Sequence, residues 1–123
     1  MSPPPHAPTL HVACLCAAWC RLCDAYAPVL EAVTQGLRAG HAGLCVHWVD
    51  IEDDAALVGE YDVETFPTLV VVDDACVRFA GPLQPQPETL QRVLRATLDD
   101  AGARAPPAPG LAGFAERLRQ RAS

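Results

Sequence analysis

The sequence predicts an α/β fold: a mixed four-stranded sheet flanked by helices, with the elements in the order β-α-β-α-β-β-α. Three observations carry this. A short apolar run, Thr9 to Ala17, is followed by a long stretch whose apolar residues recur at three- and four-residue steps. A second apolar run after that stretch makes a strand-helix-strand unit, which forces its two strands parallel with a right-handed crossover. Further on, two short strand-like runs are separated only by Asp73 to Ala75, as in an antiparallel hairpin. The chain has 123 residues, half of them hydrophobic and 20% charged, enough for one domain with a core and too few for two.

Residues 1–8 hold four of the twelve prolines and are expected to be disordered. TLHVACLCA, residues 9–17, reads as a buried strand because it is apolar and partly β-branched. Residues 21–38 read as a helix with Leu22, Ala25, Tyr26, Val29, Leu30, Val33 and Leu37 on one stripe. Pro28 lies inside that helix and is expected to kink it, since it removes a backbone donor and crowds the preceding turn. LCVHWVD, residues 44–50, is the second strand. Residues 53–61 are expected to form a short helix with Asp53 or Asp54 as N-cap. Residues 68–72 and 76–80 form the hairpin strands. Residues 88–98 form an amphipathic helix with Leu90, Val93, Leu94 and Leu98 on one face. A domain over 9–100 is thus followed by a proline-rich linker, 101–110. A C-terminal tail, 111–123, has Leu111, Phe114 and Leu118 on one side and arginines on the other, and is expected to dock on its own domain.

The formal charge is −6, and none of the basic residues is lysine. An acidic balance argues against nucleic acid as the main partner. Acidic residues crowd positions 50–64 and arginines crowd the C-terminal third, which reads as two solvated faces. The first residues lack the basic and apolar regions of a secretory signal, and no apolar run approaches the ~20 residues of a membrane span. A cytoplasmic protein is expected, with no membrane partner. In that reducing setting six cysteines should be thiols, metal ligands or redox groups rather than a static framework.

Cys14, Cys16, Cys20 and Cys23 fall within ten residues. Cys20 and Cys23 are spaced C-x-x-C where the first strand hands over to the helix. A helix start presents unpaired N–H groups and a partial positive charge, which stabilise a thiolate at Cys20, and Arg21 adds charge beside it. A thiolate attacks a disulfide, and Cys23, one helical turn on, can close a small ring with Cys20. Cys14 and Cys16 alternate along a strand and read as packing. The alternative is a metal site of all four, although C-x-C-x-x-x-C-x-x-C is not a zinc-knuckle spacing. Cys45, Cys76 and Trp48 read as core. His6, His11, His41 and His47 are dispersed and read as surface or satisfied residues.

AAWCRLC resembles the Trp-Cys-x-x-Cys signature of the thioredoxin family. Pro28 falls eight residues after Cys20, where that family carries a helix-kinking proline, and TFPTLVVV resembles its cis-proline loop. The resemblance covers roughly Thr9 to Leu98. It implies a thioredoxin-like fold in a short form without the family's first strand and helix, and a protein disulfide reductase contributing to redox homeostasis. Cys20 would be the nucleophile and Cys23 the resolving residue. Trp19, Arg21, Leu22, Phe66, Pro67 and Gly81 would meet the substrate, with Phe66–Pro67 cis and the Phe66 backbone pairing with the bound chain. The partners implied are a disulfide-containing protein and a reductase or thiol donor; no cofactor or metal is required, and a monomer suffices. Two departures stand out: Cys14 occupies the position of the family's buried carboxylate, and Trp48 that of its partner lysine. Asp24, Glu52 or water could take over the acid–base role at Cys23. A binding module that no longer turns over its cysteines is the other reading.

Overall fold

The structure is a computed structural model that describes residues 10–17, 19–38, 40, 43–73, 76–82, 86–99 and 104–121. The proline-rich residues 1–8 lie outside these, as do His6 and His41. The elements are β1 (Leu10–Cys16), α1 (Arg21–Arg38), β2 (Leu44–Asp50), α2 (Ala55–Val58), β3 (Thr68–Val72), β4 (Val77–Pro82), α3 (Pro87–Asp99) and α4 (Leu111–Arg121). The sheet order is β2-β1-β3-β4. β1 runs parallel to β2, pairing Cys14 with Trp48, and antiparallel to β3, pairing Cys14 with Leu69. β3 and β4 are antiparallel, with an irregularity at Val71/Val72. The mixed α/β sheet is thus the one the sequence predicts.

Every residue of β1 is buried, because the strand is central in the sheet and covered on both faces. Side chains alternate across a strand, so β1 feeds two layers. Leu10, Val12, Cys14 and Cys16 pack with Tyr26, Leu30 and Leu37 of α1 and Leu90 and Leu94 of α3. Ala13 and Leu15 pack on the other face with Val49, Val58, Val70 and Val72 and with Leu111, Phe114 and Leu118 of α4. Burying each such large side chain contributes roughly 1.5–3 kcal/mol. The apolar stripe of the C-terminal segment is therefore core.

Several elements differ from expectation. The helix expected over 53–61 is only four residues long. Asp50 Oδ1 accepts hydrogen bonds from the backbone of Glu52 (2.8 Å) and Asp53 (3.1 Å), and Asp54 Oδ2 accepts from the Asp50 backbone (3.1 Å). These contacts hold 51–54 as turns, and Asp54 serves as N-cap without a side-chain cap bond. Gly59, at φ +58°, ends α2. β4 begins at Val77 rather than Cys76 and extends to Pro82, so Gly81 lies inside the strand. Trp48 is 38% exposed rather than core, because β2 is an edge strand with a neighbour on one side only. Cys45 and Cys76 are half-buried.

The arginines of α4 are not a solvated face. Arg117 donates to the carbonyls of Leu57 (2.7 Å) and Val58 (3.1 Å), satisfying the end of α2. Arg119 donates to the Asp73 carbonyl at 2.8 Å, and Arg121 lies 3.7 Å from Asp54. Within the proline-rich segment, Ala105 donates its backbone N–H to the Val77 carbonyl. His11 is buried, and its Nδ1 lies 3.3 Å from His47 Nε2 across the β1–β2 pair.

Candidate active site at the first strand-to-helix junction

β1 ends at Cys16 and α1 begins at Arg21, so the chain turns at the edge of the core. That turn is held by the Cys20 N–H on the Ala17 carbonyl (3.0 Å) and the Cys23 N–H on the Cys20 carbonyl (3.2 Å). The second bond places Cys20 at the cap position of α1 and Cys23 one turn below it. Cys20 is half-buried and packs against the inner layer, whereas Cys23 is 1% exposed within it. One thiol therefore reaches solvent at the helix start and the other does not.

Trp19 is 68% exposed. Its ring meets Phe66 edge-on, with centroids 5.6 Å apart and planes at 89°, a favoured aromatic geometry. The Phe66–Pro67 peptide is cis, Pro67 is buried, and Thr68 anchors the loop through its hydroxyl on the Thr65 carbonyl. Trp19 and Phe66 thus make one apolar rim beside Cys20. Arg21 is exposed in the first turn of α1. Leu22 follows it, and its side chain lies outside what the structure describes. Gly81 lies within β4, opposite Leu69 of β3. It lines a depression of about 220 Å³ with Thr65, Thr68 and Pro82, on the flank of the Phe66–Pro67 loop.

The inner thiol is also electrostatically perturbed. Burial pushes the Cys23 thiol well above the usual cysteine range, and hydrogen bonding to Cys16 and Cys20 adds to this, while a backbone hydrogen bond from Ala17 works the other way. Asp24 and Glu52 are both exposed, and neither is among the groups that shift Cys23. Cys14 is fully buried, with its sulfur 3.6 Å from that of Cys16. The Tyr26 hydroxyl is buried beside these two thiols and its ionisation is suppressed, first by burial. All six cysteines are free thiols. Among the described residues no group of three or more His, Cys, Asp or Glu side chains could hold a metal ion, and no described helix is long and apolar enough to cross a membrane.

A family model described as Thioredoxin matches residues 6–94. The chain belongs to the thioredoxin family. Solved structures carry the same thioredoxin fold at low sequence identity. Deadhead, a germline-specific thioredoxin from Drosophila melanogaster, is 17% identical with a TM-score of 0.61, over 72% of this chain and 80% of that one. The thioredoxin from Trypanosoma brucei brucei is 21% identical with a TM-score of 0.61, over 74% and 76%. Human ERp44 is 17% identical with a TM-score of 0.64, over 76% of this chain and 29% of that one. No curated protein matches the sequence significantly. Within the thioredoxin fold, the junction of β1 and α1 brings together Trp19, Cys20, Cys23 and Phe66. The sequence reads Cys16 chiefly as packing, with exchange into the active site as the lesser alternative, and it does not show that Tyr26 carries its hydroxyl into the same thiol cluster. The two-residue alternation of Cys14 and Cys16 was the available signal, since it aims both at the helix that bears Cys23.

Proposed function

We propose that the protein is a thiol–disulfide oxidoreductase acting on protein disulfides. The observation that carries this reading is the asymmetry of the pair: Cys20 half-exposed at the start of α1, Cys23 buried one turn below. Cys20, as thiolate, attacks one sulfur of a substrate disulfide. A mixed disulfide forms, and the electron pair leaves on the other substrate sulfur, which takes up a proton. Cys23 then loses its proton and attacks Cys20 Sγ. The Cys20–Cys23 bond forms and the second substrate thiol departs, so the substrate gains the two electrons that the pair gives up. A cellular reductase or thiol donor returns the pair to the dithiol.

The rim of Trp19 and Phe66 gives an unfolded or extended chain an apolar seat beside Cys20, and the Phe66 backbone is the group offered to the bound chain. Arg21 and Leu22 border the nucleophile, and Pro67 and Gly81 the far side of the seat. The reading takes the setting to be cytoplasmic and the active unit to be one chain. Insulin reduction by dithiothreitol tests it. The wild type should accelerate precipitation of the insulin B chain, and Cys20→Ser should abolish that acceleration. Equal rates for the two proteins would leave a binding module as the better description.

A further inference from the structure

The pair Cys20/Cys23 leaves two buried cysteines without a task. Cys14 and Cys16 enter the same layer from β1 with their sulfurs 3.6 Å apart. Cys23 and Cys20 share that layer, and both act on the ionisation of Cys16. The four thiols therefore gather in one layer, with exposures of 0%, 1% and 1% for Cys14, Cys16 and Cys23 and half-exposed Cys20 at its solvent side. The side chains that shift the ionisation of Cys16 are Cys14, Cys23 and Cys20, thiols alike.

A second observation points at the same cluster. Tyr26 is fully buried against Cys14 and Cys16, and its hydroxyl has no hydrogen-bond partner among the described residues. Leaving a buried donor unpaired is unfavourable, because it gives up its bond to water and gains none in return. Packing alone requires neither the cluster of thiols nor the idle donor. A site where negative charge passes between sulfurs uses both, because the phenol can donate to whichever sulfur carries the charge.

We propose that Cys16 is a third redox residue, which exchanges into the Cys20–Cys23 disulfide to give a buried Cys16–Cys23 disulfide and a free Cys20 thiol. The step is an isomerisation and needs no external oxidant. The Cys16 sulfur attacks Cys23 Sγ; the Cys16–Cys23 bond forms and the Cys20–Cys23 bond breaks. The electron pair departs on Cys20, which recovers the proton that Cys16 gave up, so the chain stays at the same oxidation level. The inference rests on the oxidoreductase reading and assigns a further residue to its site. Its consequence is that an oxidised chain still presents a nucleophile at the rim. The direction has a physical reason. The Cys14 thiol and then burial disfavour charge on Cys16, and burial disfavours it on Cys23, so joining these two in the disulfide leaves free the thiol that reaches solvent at a helix start.

Disulfide mapping tests this without reference to turnover. The reduced full chain is oxidised with one equivalent of diamide, quenched in acid, alkylated in urea and digested with trypsin. Cleavage after Arg21 separates Cys20 from Cys23, and fragmentation of the linked peptides tells Cys16 from Cys20. The expected result is a population of chains with Cys20 alkylated and Cys16 joined to Cys23. In Cys20→Ser the same oxidation should remove two thiols, those of Cys16 and Cys23, and in Cys20→Ser/Cys16→Ala that disulfide should vanish. Wild-type chains joined solely through Cys20 and Cys23, with Cys16 and Cys23 both alkylated in Cys20→Ser, would overturn the proposal. If insulin reduction persists in that case, the oxidoreductase reading stands and this inference alone fails.

Discussion

At the scale of single residues, burial decides what the thiols can do. Cys23 is held above the ordinary thiol range chiefly by desolvation, and no carboxylate is among the groups that shift it. Attack by Cys23 on a mixed disulfide needs its thiolate, whose fraction grows tenfold per pH unit below the pKa. Resolution of a pre-formed mixed disulfide at Cys20 should therefore speed up roughly tenfold per unit from about pH 7 to 9 without levelling. Stopped-flow fluorescence of Trp19 would follow it, and a plateau near pH 7 would mean that a base serves Cys23 after all.

His47 makes the opposite point on the other side of β1. Burial, then His11, then Arg121 push its imidazole down to about 4. Below its ordinary value of ~6.5 the unfolded chain takes up a proton that the folded chain refuses. Stability should thus be complete above ~6.5 and fall as pH drops toward 4. The shift corresponds to about 3 kcal/mol, and partial exposure of His47 reduces this to roughly 1–2 kcal/mol. Urea denaturation of wild type and His47→Gln between pH 7 and 4.5 isolates it, since the carboxylates titrate in both; parallel curves would refute the assignment. The Cys20/Cys23 pair was legible in the sequence because its spacing and its helix start are local. The association of Cys16 with that pair was legible only as a lesser alternative, and the His11–His47 pair not at all, because each joins residues from separate elements.

At the scale of elements, two glycines show how position sets the sign of a substitution. Gly36 lies within α1, and a Cβ there would meet nothing within 4 Å. Gly36→Ala should stabilise by ~0.5–1 kcal/mol through helix propensity. Gly110 precedes α4 at φ +77°, and a Cβ would come within 2.5 Å of the backbone at Glu60 and Tyr61. Gly110→Ala should cost about 2–4 kcal/mol, combining a left-handed alanine with a backbone clash. Thermal melts of the two variants should move in opposite directions, and a shared sign would contradict the described turn. The helices with strong periodicity, α1, α3 and α4, were readable from their apolar stripes. The short α2 was overextended because aspartates that suit an N-cap also make turns, and here Asp50 and Asp54 bond each other's neighbourhood instead. Trp48 was misread for a related reason: an aromatic in a strand looks like core until the strand is known to be an edge.

At the scale of the molecule, a sheet with two apolar faces needs cover on both. α1 and α3 cover one. On the other, α2 contributes a single buried side chain, Val58, too little to shield Ala13, Leu15, Val49, Val70 and Val72. α4 supplies the rest through Leu111, Phe114, Ala115 and Leu118. Phe114 is fully buried and stacks on Tyr61 with centroids 5.7 Å apart. Arg117 and Arg119 fasten the helix to the Leu57, Val58 and Asp73 carbonyls. Phe114→Ala should therefore cost about 3–5 kcal/mol, a large share of the ~5–15 kcal/mol that holds a typical domain together. The cysteine pair lies at the end of β1 and packs in the opposite layer. Insulin reduction per folded molecule should accordingly stay near wild type at low temperature, while the urea midpoint falls sharply. A loss below ~1 kcal/mol, the size expected of a surface change, would mean that α4 is not part of the core. Activity lost in step with stability at every temperature would instead tie the two faces of the sheet into one cooperative unit that includes the cysteine junction.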